Sequence, residues 1–380
     1  MKGGEYMHNE IQQCISNGEW EQAAKLSMNE MQRGMDATLC ILVATIQEHY
    51  GDFAEAKRMI MRGLQIDPEN YELYYMLGAH YETENLDQAY LCYEQALYYC
   101  KDDADRAYLE TQQHRLSESG DLTVHPMSFV ILSYHNLPLI QDCLNSIRMF
   151  VPRTSYEIVV VDNASDEETV NWLKAQEDIV LIANQENMGF PGGCNQGARA
   201  AAAGNDIMLL NNDTIVTPNS MFWLRMGLYA DATNGAAGCV TNPGTAQQSV
   251  GPLLATTAEG LVYGKKNNVP ICPASQEREW LTGFAVVIRR EIWDRLGGLD
   301  EVFSPGMFED TDLGYRIRAL GYKNVLCHNS YIIHLASQSF GKDIPKYSKV
   351  YQRNLAIMQK KWNTDRVDFR QPLAQIEKTE

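Results

Sequence analysis

The sequence has no apolar run of the roughly 18 to 20 residues that a membrane helix needs, and no cysteine pair at metal or redox spacing. It also has no surplus of basic charge. The opening MKGGEYMHNEIQQC turns acidic before any apolar signal-peptide core forms, so the chain reads as a soluble, cytoplasmic protein without a transmembrane segment. Nine cysteines are scattered singly, which points to reduced, packed thiols rather than a disulfide framework or a zinc site. With 32 basic against 49 acidic residues the net charge is −17, and residues 1–116 alone hold 9 basic and 20 acidic side chains. Such a surface repels phosphate backbones and anionic lipid, and excludes nucleic acid as a partner of this part. It reads as a solvated helical exterior or as a docking face for a basic partner.

What is present is a chain of 380 residues, enough for two or three compact units, with ordinary globular hydrophobic content of 45%. Three related segments, GEWEQAAKL, GDFAEAKRM and ENLDQAYLC, place Ala23, Ala56 and Ala89 at a constant spacing of 33 residues. Leu77-Gly78 and the Asp67-Pro68 turn complete a pattern that resembles the tetratricopeptide repeat. In that repeat small residues let two antiparallel helices cross closely. The resemblance implies about three helical pairs, and residues 1–116 are expected to form an all-α repeat domain.

Residues 117–127 are polar, carry Gly and Pro, and read as a linker. Beyond them the period changes. Residues 128–133, 157–161, 179–183 and 207–210 are short β-branched runs, with helical spacing at 137–150 and near 195–203. This alternation predicts an α/β domain with a largely parallel sheet, whose ligands bind beyond the carboxyl ends of the strands.

The chemistry-bearing residues follow those strands. Ser133-Tyr134-His135-Asn136 comes after the first, and Asp162-Asn163-Ala164-Ser165 after the second. Asp162 can accept from a base or ribose, although Asp-Asn-x-Ser is equally good turn chemistry. The stretch from Asn187 to Gly197 is rich in glycine, which permits close backbone approach to an anion at a helix N-terminus. It matches neither Gly-x-Gly-x-x-Gly nor the Gly-Lys-Ser/Thr of a P-loop. Asn211-Asn212-Asp213 ends an apolar strand and offers hard oxygen ligands to a cation bridging a diphosphate. Glu309, Asp310 and Asp312 precede an amphipathic helix. The first two are expected on the loop as candidate general bases and Asp312 as a helix cap. His334 follows an apolar run and reads as packed or as a ligand.

Taken in order, SYHN, VVVDNASDE, NMGFPGGCNQG, LLNNDT, LTGFAVVIRR, GLDEVFSPGMFEDTDLGYRIRALGYK and IIHLASQSFG resemble the inverting family 2 glycosyltransferases of the GT-A fold. The resemblance implies a Rossmann-like GT-A nucleotide-sugar-binding domain over 128–341, followed by a C-terminal helix and tail over 342–380. It implies that Ser133, Tyr134, Asp162, Asn163, Asn187, Gly189, Phe190, Asn195 and Asn212 bind a nucleotide diphosphate sugar, UDP- or dTDP-linked. Asp213, at the family's Asp-x-Asp position, and His334 would hold Mn2+ or Mg2+. Asp310 would be the catalytic base with Glu309 beside it, and Trp280 and Gly283 would line the acceptor or donor pocket. In this chain His135 replaces the Asn common in the family, and Asn211 replaces the first acid of Asp-x-Asp. The expected acceptor is a protein held by the repeats. The alternatives are transfer to a cell-surface polysaccharide or lipid-linked glycan, for example rhamnosyl transfer, and a non-catalytic scaffold.

Overall fold

The computed structural model describes residues 2–242, 248–252, 254–335 and 344–363, with residues 2–6 and 344–347 described by their backbone alone. The chain divides into two compact units, Met1–Val124 and His125–Glu380.

Among the described residues the first unit is entirely helical: α1 Lys2–Ser16, α2 Trp20–Met31, α3 Ala37–His49, α4 Phe53–Ile66, α5 Tyr71–Tyr81, α6 Leu86–Tyr99 and α7 Asp103–Glu118. Asp36, Asp52, Asn70, Asn85 and Asp102 each accept a backbone N–H in the following first turn, which sets the helix starts. Ala23, Ala56 and Ala89 are fully buried on α2, α4 and α6. A Cβ at Gly78 would lie 2.6 Å from the Tyr93 ring, so α5 and α6 cross at a distance that only glycine permits there. The last helix runs to Glu118, two residues into the segment expected to be linker, because Asp102 caps it firmly and Leu109 and Leu116 are buried.

The second unit comprises β1 Met127–Ser133, α8 Leu137–Phe150, β2 Tyr156–Asp162, α9 Glu167–Lys174, β3 Ile179–Ala183, α10 Gly189–Ala200, β4 Asp206–Asn211, β5 Thr214–Ile215, α11 Ser220–Leu228, β6 Asn234–Thr241, α12 Thr257–Asn267, β7 Ser275–Arg278, β8 Ala285–Ile288, α13 Arg290–Leu296, α14 Glu309–Ala319, β9 Lys323–His334 and α15 Ile344–Trp362. The sheet order is β3-β2-β1-β4-β8-β6-β9-β5, with β7 paired to β9. Strands β3, β2, β1 and β4 are parallel, as the βα alternation predicts. The rest is mixed: β8 is antiparallel to both β4 and β6, and β6 is parallel to β9. Two reversals return β6 and β9 to the direction of β4, so the ends of β6 and β9 and the start of β8 share an edge with the ends of β1, β2 and β4.

Two differences from the sequence reading have steric causes. The glycine-rich segment is not a loop ahead of its helix; α10 begins at Gly189. Its small residues serve packing, since a Cβ at Gly193 would come within 2.9 Å of Leu132 and one at Gly197 within 2.5 Å of Val130. The final helix does not stand apart from the rest of the second unit. Met358 is buried against Phe303 and Phe308, with Tyr351, Leu355 and Trp362 around them. Ser337, Ser339, Phe340 and Gly341, noted in the last motif, and the tail from Asp365 lie outside the described residues.

Gly197→Ala is expected to destabilise the protein by about 1–3 kcal/mol through overpacking against the stiff Val130 side chain. Gly192, on the same helix, would place its Cβ 3.5 Å from Met188 and near nothing else. Gly192→Ala is therefore expected to be neutral or stabilising by up to about 1 kcal/mol. Denaturant midpoints of the two variants measure the contrast.

Candidate active site

The register of the parallel strands aligns the site. Ser133 pairs with Asp162, and Leu132 with Asn211, so β1, β2 and β4 terminate side by side. Asp162 is fully buried, and a buried carboxylate needs donors. Ser165 supplies two, its N–H at 2.9 Å and its hydroxyl at 2.6 Å. The same Ser165 oxygen accepts the His135 N–H at 2.8 Å, tying the loop after β1 to the loop after β2. His135 and Asn136 both sit at positive φ, 56° and 59°, a conformation uncommon outside glycine that this tie holds in place. His135 Nδ1 lies 3.3 Å from Asp166, so the residue that departs from the family pattern is engaged within the loop. Tyr134 is exposed, its ring 4.3 Å from that of His135. Ser133 Oγ is buried with no hydrogen-bond partner among the described residues.

The segment after β3 is arranged differently from expectation. Asn187 accepts the Gly189 N–H at 2.8 Å, and Gly189 takes φ 73° where a Cβ would meet Pro305 Cα at 2.9 Å. Phe190 N–H donates to Pro305 O at 2.8 Å. Asn163 is buried and donates to Gly189 O at 3.4 Å, and Asn184 joins it to Gln196. Asn195 spends its amide on the protein: it donates to Leu299 O and Glu301 Oε1 and accepts the Leu299 N–H. Its place is thus between α10 and the 299–305 segment.

Asn212 and Asp213 are buried in the turn between β4 and β5. Pairing of β5 with β9 sets Thr214 opposite His334 and brings the His334 Nε2 to 3.3 Å from Asp213 Oδ1. That carboxylate oxygen is buried and accepts no hydrogen bond among the described residues. The His334 ring stacks on Phe284 with centroids 4.9 Å apart. Its backbone is held from both sides by Asn242, which donates to His334 O at 2.9 Å and accepts His334 N–H at 2.8 Å.

Glu309 and Asp310 lie in the first turn of α14 rather than on the loop before it, because Met307 and Phe308, at φ 77° and 75°, turn the chain directly into the helix. Two left-handed residues cost about 1–2 kcal/mol each and persist where the surroundings fix them. Asp310 receives the Gly283 N–H at 3.1 Å and the Thr311 N–H at 2.7 Å. Gly283 is buried beside both Asp310 and the Phe190 ring, which makes it a joint between the acid turn and the α10 start. Trp280 is half-buried, with Gly314 packed against its backbone. Asp312 does not cap α14. It is fully buried and accepts from Arg316 at 2.7 Å, Trp362 at 2.8 Å and Lys361 at 2.7 Å, because α15 brings two of these donors to it.

Residues 125–354 match the family described as glycosyltransferase like family 2, more than half of the chain. The chain belongs to this family. An uncharacterised protein of Sinorhizobium fredii is 27% identical over 262 residues, covering 65% of this chain and 28% of its own length. The O-antigen biosynthesis protein RfbC of Myxococcus xanthus is 28% identical over 229 residues, 56% of this chain and 18% of that protein. This family 2 chain thus spans less than a third of either relative. A mannosyltransferase of Pyrobaculum calidifontis, solved with GDP-Man and Mn2+, aligns with a TM-score of 0.45 at 19% identity, over 71% of this chain and 76% of that one.

Within this family 2 unit, Asp213 and His334 are the residues that could hold a divalent cation. An unsatisfied, buried carboxylate oxygen beside an imidazole nitrogen is a two-ligand set for a hard cation. No group of three His, Cys, Asp or Glu among the described residues is placed to hold a metal ion, so this pair would not complete a coordination shell by itself. The acid pair is electrostatically divided. Burial, then the neighbouring Asp310, pushes Glu309 well above the usual carboxyl range. Burial also raises Asp310, but its amide donors favour the ionised form. Glu309 Oε2 has no donor among the described residues, whereas Asp310 has two amide donors, so Glu309 is the harder of the pair to ionise. Ser165, Asn184, Asn242 and Phe284 were not singled out from sequence. For Ser165 the Asp-Asn-x-Ser turn was the available signal, and for the others there was none.

Glu309 has a stability consequence with a definite sign. Above its ordinary value of 4.5 the unfolded chain releases this proton while the folded chain keeps it, so stability falls as pH rises from about 4.5 until the folded group ionises. Glu309→Gln removes that dependence. Thermal midpoints of the variant relative to wild type are expected to climb between pH 5 and 8.

Proposed function

We propose that the chain is an inverting glycosyltransferase that moves a sugar from a UDP- or dTDP-linked donor to an acceptor hydroxyl. The observation that carries this reading is the Asp213–His334 pair, whose buried carboxylate oxygen, 3.3 Å from the imidazole and accepting no hydrogen bond among the described residues, stands at the same strand edge as Asp162. Asp162, with the loops of Ser133 and Asn163, receives the nucleoside, and Tyr134 offers an exposed ring for the base. Asn187, Gly189 and Phe190 form the turn on which the donor rests, while Asn195 fixes that turn to the 299–305 segment. Asp213 and His334, with Asn212 alongside, hold Mn2+ or Mg2+, which when bound supplies Lewis-acid relief of the charge on the departing diphosphate. Asp310 removes the proton of the acceptor hydroxyl as its oxygen attacks the anomeric carbon from the face opposite the leaving group. Glu309 keeps its own proton and so leaves Asp310 the single charge of the pair. Trp280 and Gly283 border the reacting groups.

The acceptor is proposed to be a protein held by the helical unit, read as tetratricopeptide-like. The support is the fusion itself and the 33-residue recurrence of fully buried Ala23, Ala56 and Ala89. The excess of 20 acidic over 9 basic residues in 1–116 favours a basic or neutral segment and disfavours nucleic acid. The likeness to an O-antigen biosynthesis protein supports a second reading, transfer to a cell-surface glycan with the helices serving assembly. Among the described residues no helix is long and apolar enough to cross a membrane.

Asp310→Asn is expected to lower kcat by about 10²- to 10⁴-fold while nucleotide binding persists. Asp213→Ala is expected to lose the Mn2+-dependent rise in thermal midpoint that UDP or dTDP gives the wild type; that rise is about 2.7 kcal/mol of stabilisation at 100 times Kd. Turnover by Asp310→Asn at the wild-type rate contradicts the assigned base.

A further inference from the structure

Beyond the strand edge, the side chains that meet the acid turn come from α15. Asn354 is fully buried, and its two amide N–H groups are shared among three carbonyls: Phe303 O at 2.7 Å, Gly306 O at 2.8 Å and Met307 O at 3.0 Å. Its oxygen accepts from Arg353 Nε at 2.9 Å, which fixes which way the amide faces. Arg353 also donates to Val302 O and Ser304 O from the exposed side. One buried amide and one guanidinium therefore satisfy five carbonyls between residues 302 and 307.

That segment carries a run of positive backbone angles. Gly306, Met307 and Phe308 run at φ 157°, 77° and 75°, and the next residues are Glu309 and Asp310. Pro305 in the same segment receives Phe190 N–H and abuts Gly189. Phe303 and Phe308 pack on Met358, and Asp312 is held by Lys361 and Trp362. The segment also carries its own bonds, Gly306 N–H to Phe303 O and Ser304 N–H to Glu301 O, and α15 adds the side-chain donors Asn354 and Arg353.

We infer that Asn354 is a positioning residue for the acid turn: by binding the carbonyls of residues 303, 306 and 307 it fixes the left-handed entry to α14 and, through it, the direction of the Asp310 carboxylate. The inference rests on the proposed transferase reading, in which Asp310 takes the acceptor proton. Asn354 touches neither donor nor acceptor. Without it the turn relaxes, the Gly283 and Thr311 amides no longer converge on Asp310, and the carboxylate is both displaced and harder to ionise. Donor binding, which depends on the strand-edge residues, is left in place.

The test uses the full chain and water as acceptor: Mn2+-dependent hydrolysis of UDP-glucose, dTDP-rhamnose and GDP-mannose, with UDP affinity measured by calorimetry. Asn354→Ala is expected to lower kcat at least tenfold on the donor that the wild type turns over, with KM and UDP affinity within threefold and the acid limb of the kcat–pH profile moved to higher pH. Arg353→Ala, whose side chain is exposed, is expected to fold and to lower kcat at least threefold in the same pattern. A folded Asn354→Ala with kcat within twofold of wild type overturns the inference. Should that variant not fold, Arg353→Ala with unchanged kcat and an unmoved acid limb overturns it. A wild type that hydrolyses none of the three donors overturns the transferase reading and takes this inference with it, whereas loss of kcat together with loss of UDP affinity assigns Asn354 to general stability and overturns the inference alone.

Discussion

Parallel pairing of β1 with β2 and β4 ends Ser133, Asp162 and Asn211 along one line, and every other part of the site is placed by reference to that line. A parallel sheet gives all its strands the same polarity, so their carboxyl ends and the loops after them collect on one edge. The antiparallel β8 interrupts this without spoiling it, since its start, rather than its end, falls at the same edge and contributes Gly283 and Phe284. The register then decides chemistry. Asn211 N–H bonds Phe284 O, Phe284 stacks on His334, and His334 meets Asp213.

The acid turn follows a different physical logic, that of buried charge. Three carboxyl groups within four residues are taken from water, and each is treated differently. Asp312 is neutralised by Arg316 and Lys361 with a further bond from Trp362, which makes it structural. Because Asp312 is fully buried, losing the Lys361 and Trp362 donors would strip its carboxylate of partners that α15 alone supplies, which ties α15 to α14. Glu309 has no such partner among the described residues, and burial beside Asp310 pushes its carboxyl well above the usual range. Asp310 has amide donors and carries the charge. The division into anchor, proton holder and base arises from which backbone and side-chain donors reach each group, not from the residue types.

Much of this was legible in the sequence and some was not. The β-branched runs located β1 through β4 to within a residue, and helical spacing located α8 at its observed bounds, because these periodicities are local. The constant 33-residue spacing of alanines pointed to the helical pairs for the same reason. Asp162, Asp213 and Asp310 were legible as acids after strands or before a helix. What was hidden depends on partners far along the chain. Asn195 is drawn to Leu299, Asp312 to Lys361, and Asn354 to Phe303, separations with no periodic trace. Gly193 and Gly197 of α10 pack against Leu132 and Val130, a role the sequence does not reveal because a glycine required by helix–sheet packing and one required by a ligand look alike.

The account stands on one spatial claim, that a nucleotide diphosphate and a divalent cation meet the protein at Asp213 and His334 on the carboxyl edge of the sheet. Crystals of the full chain grown with Mn2+ and either UDP or dTDP test it directly through the anomalous signal of manganese. The account predicts one manganese peak within coordination distance of Asp213 and His334 Nε2, with the nucleoside beside Asp162. Manganese bound elsewhere on the catalytic unit, or nucleotide bound away from the ends of β1, β2 and β4, contradicts it.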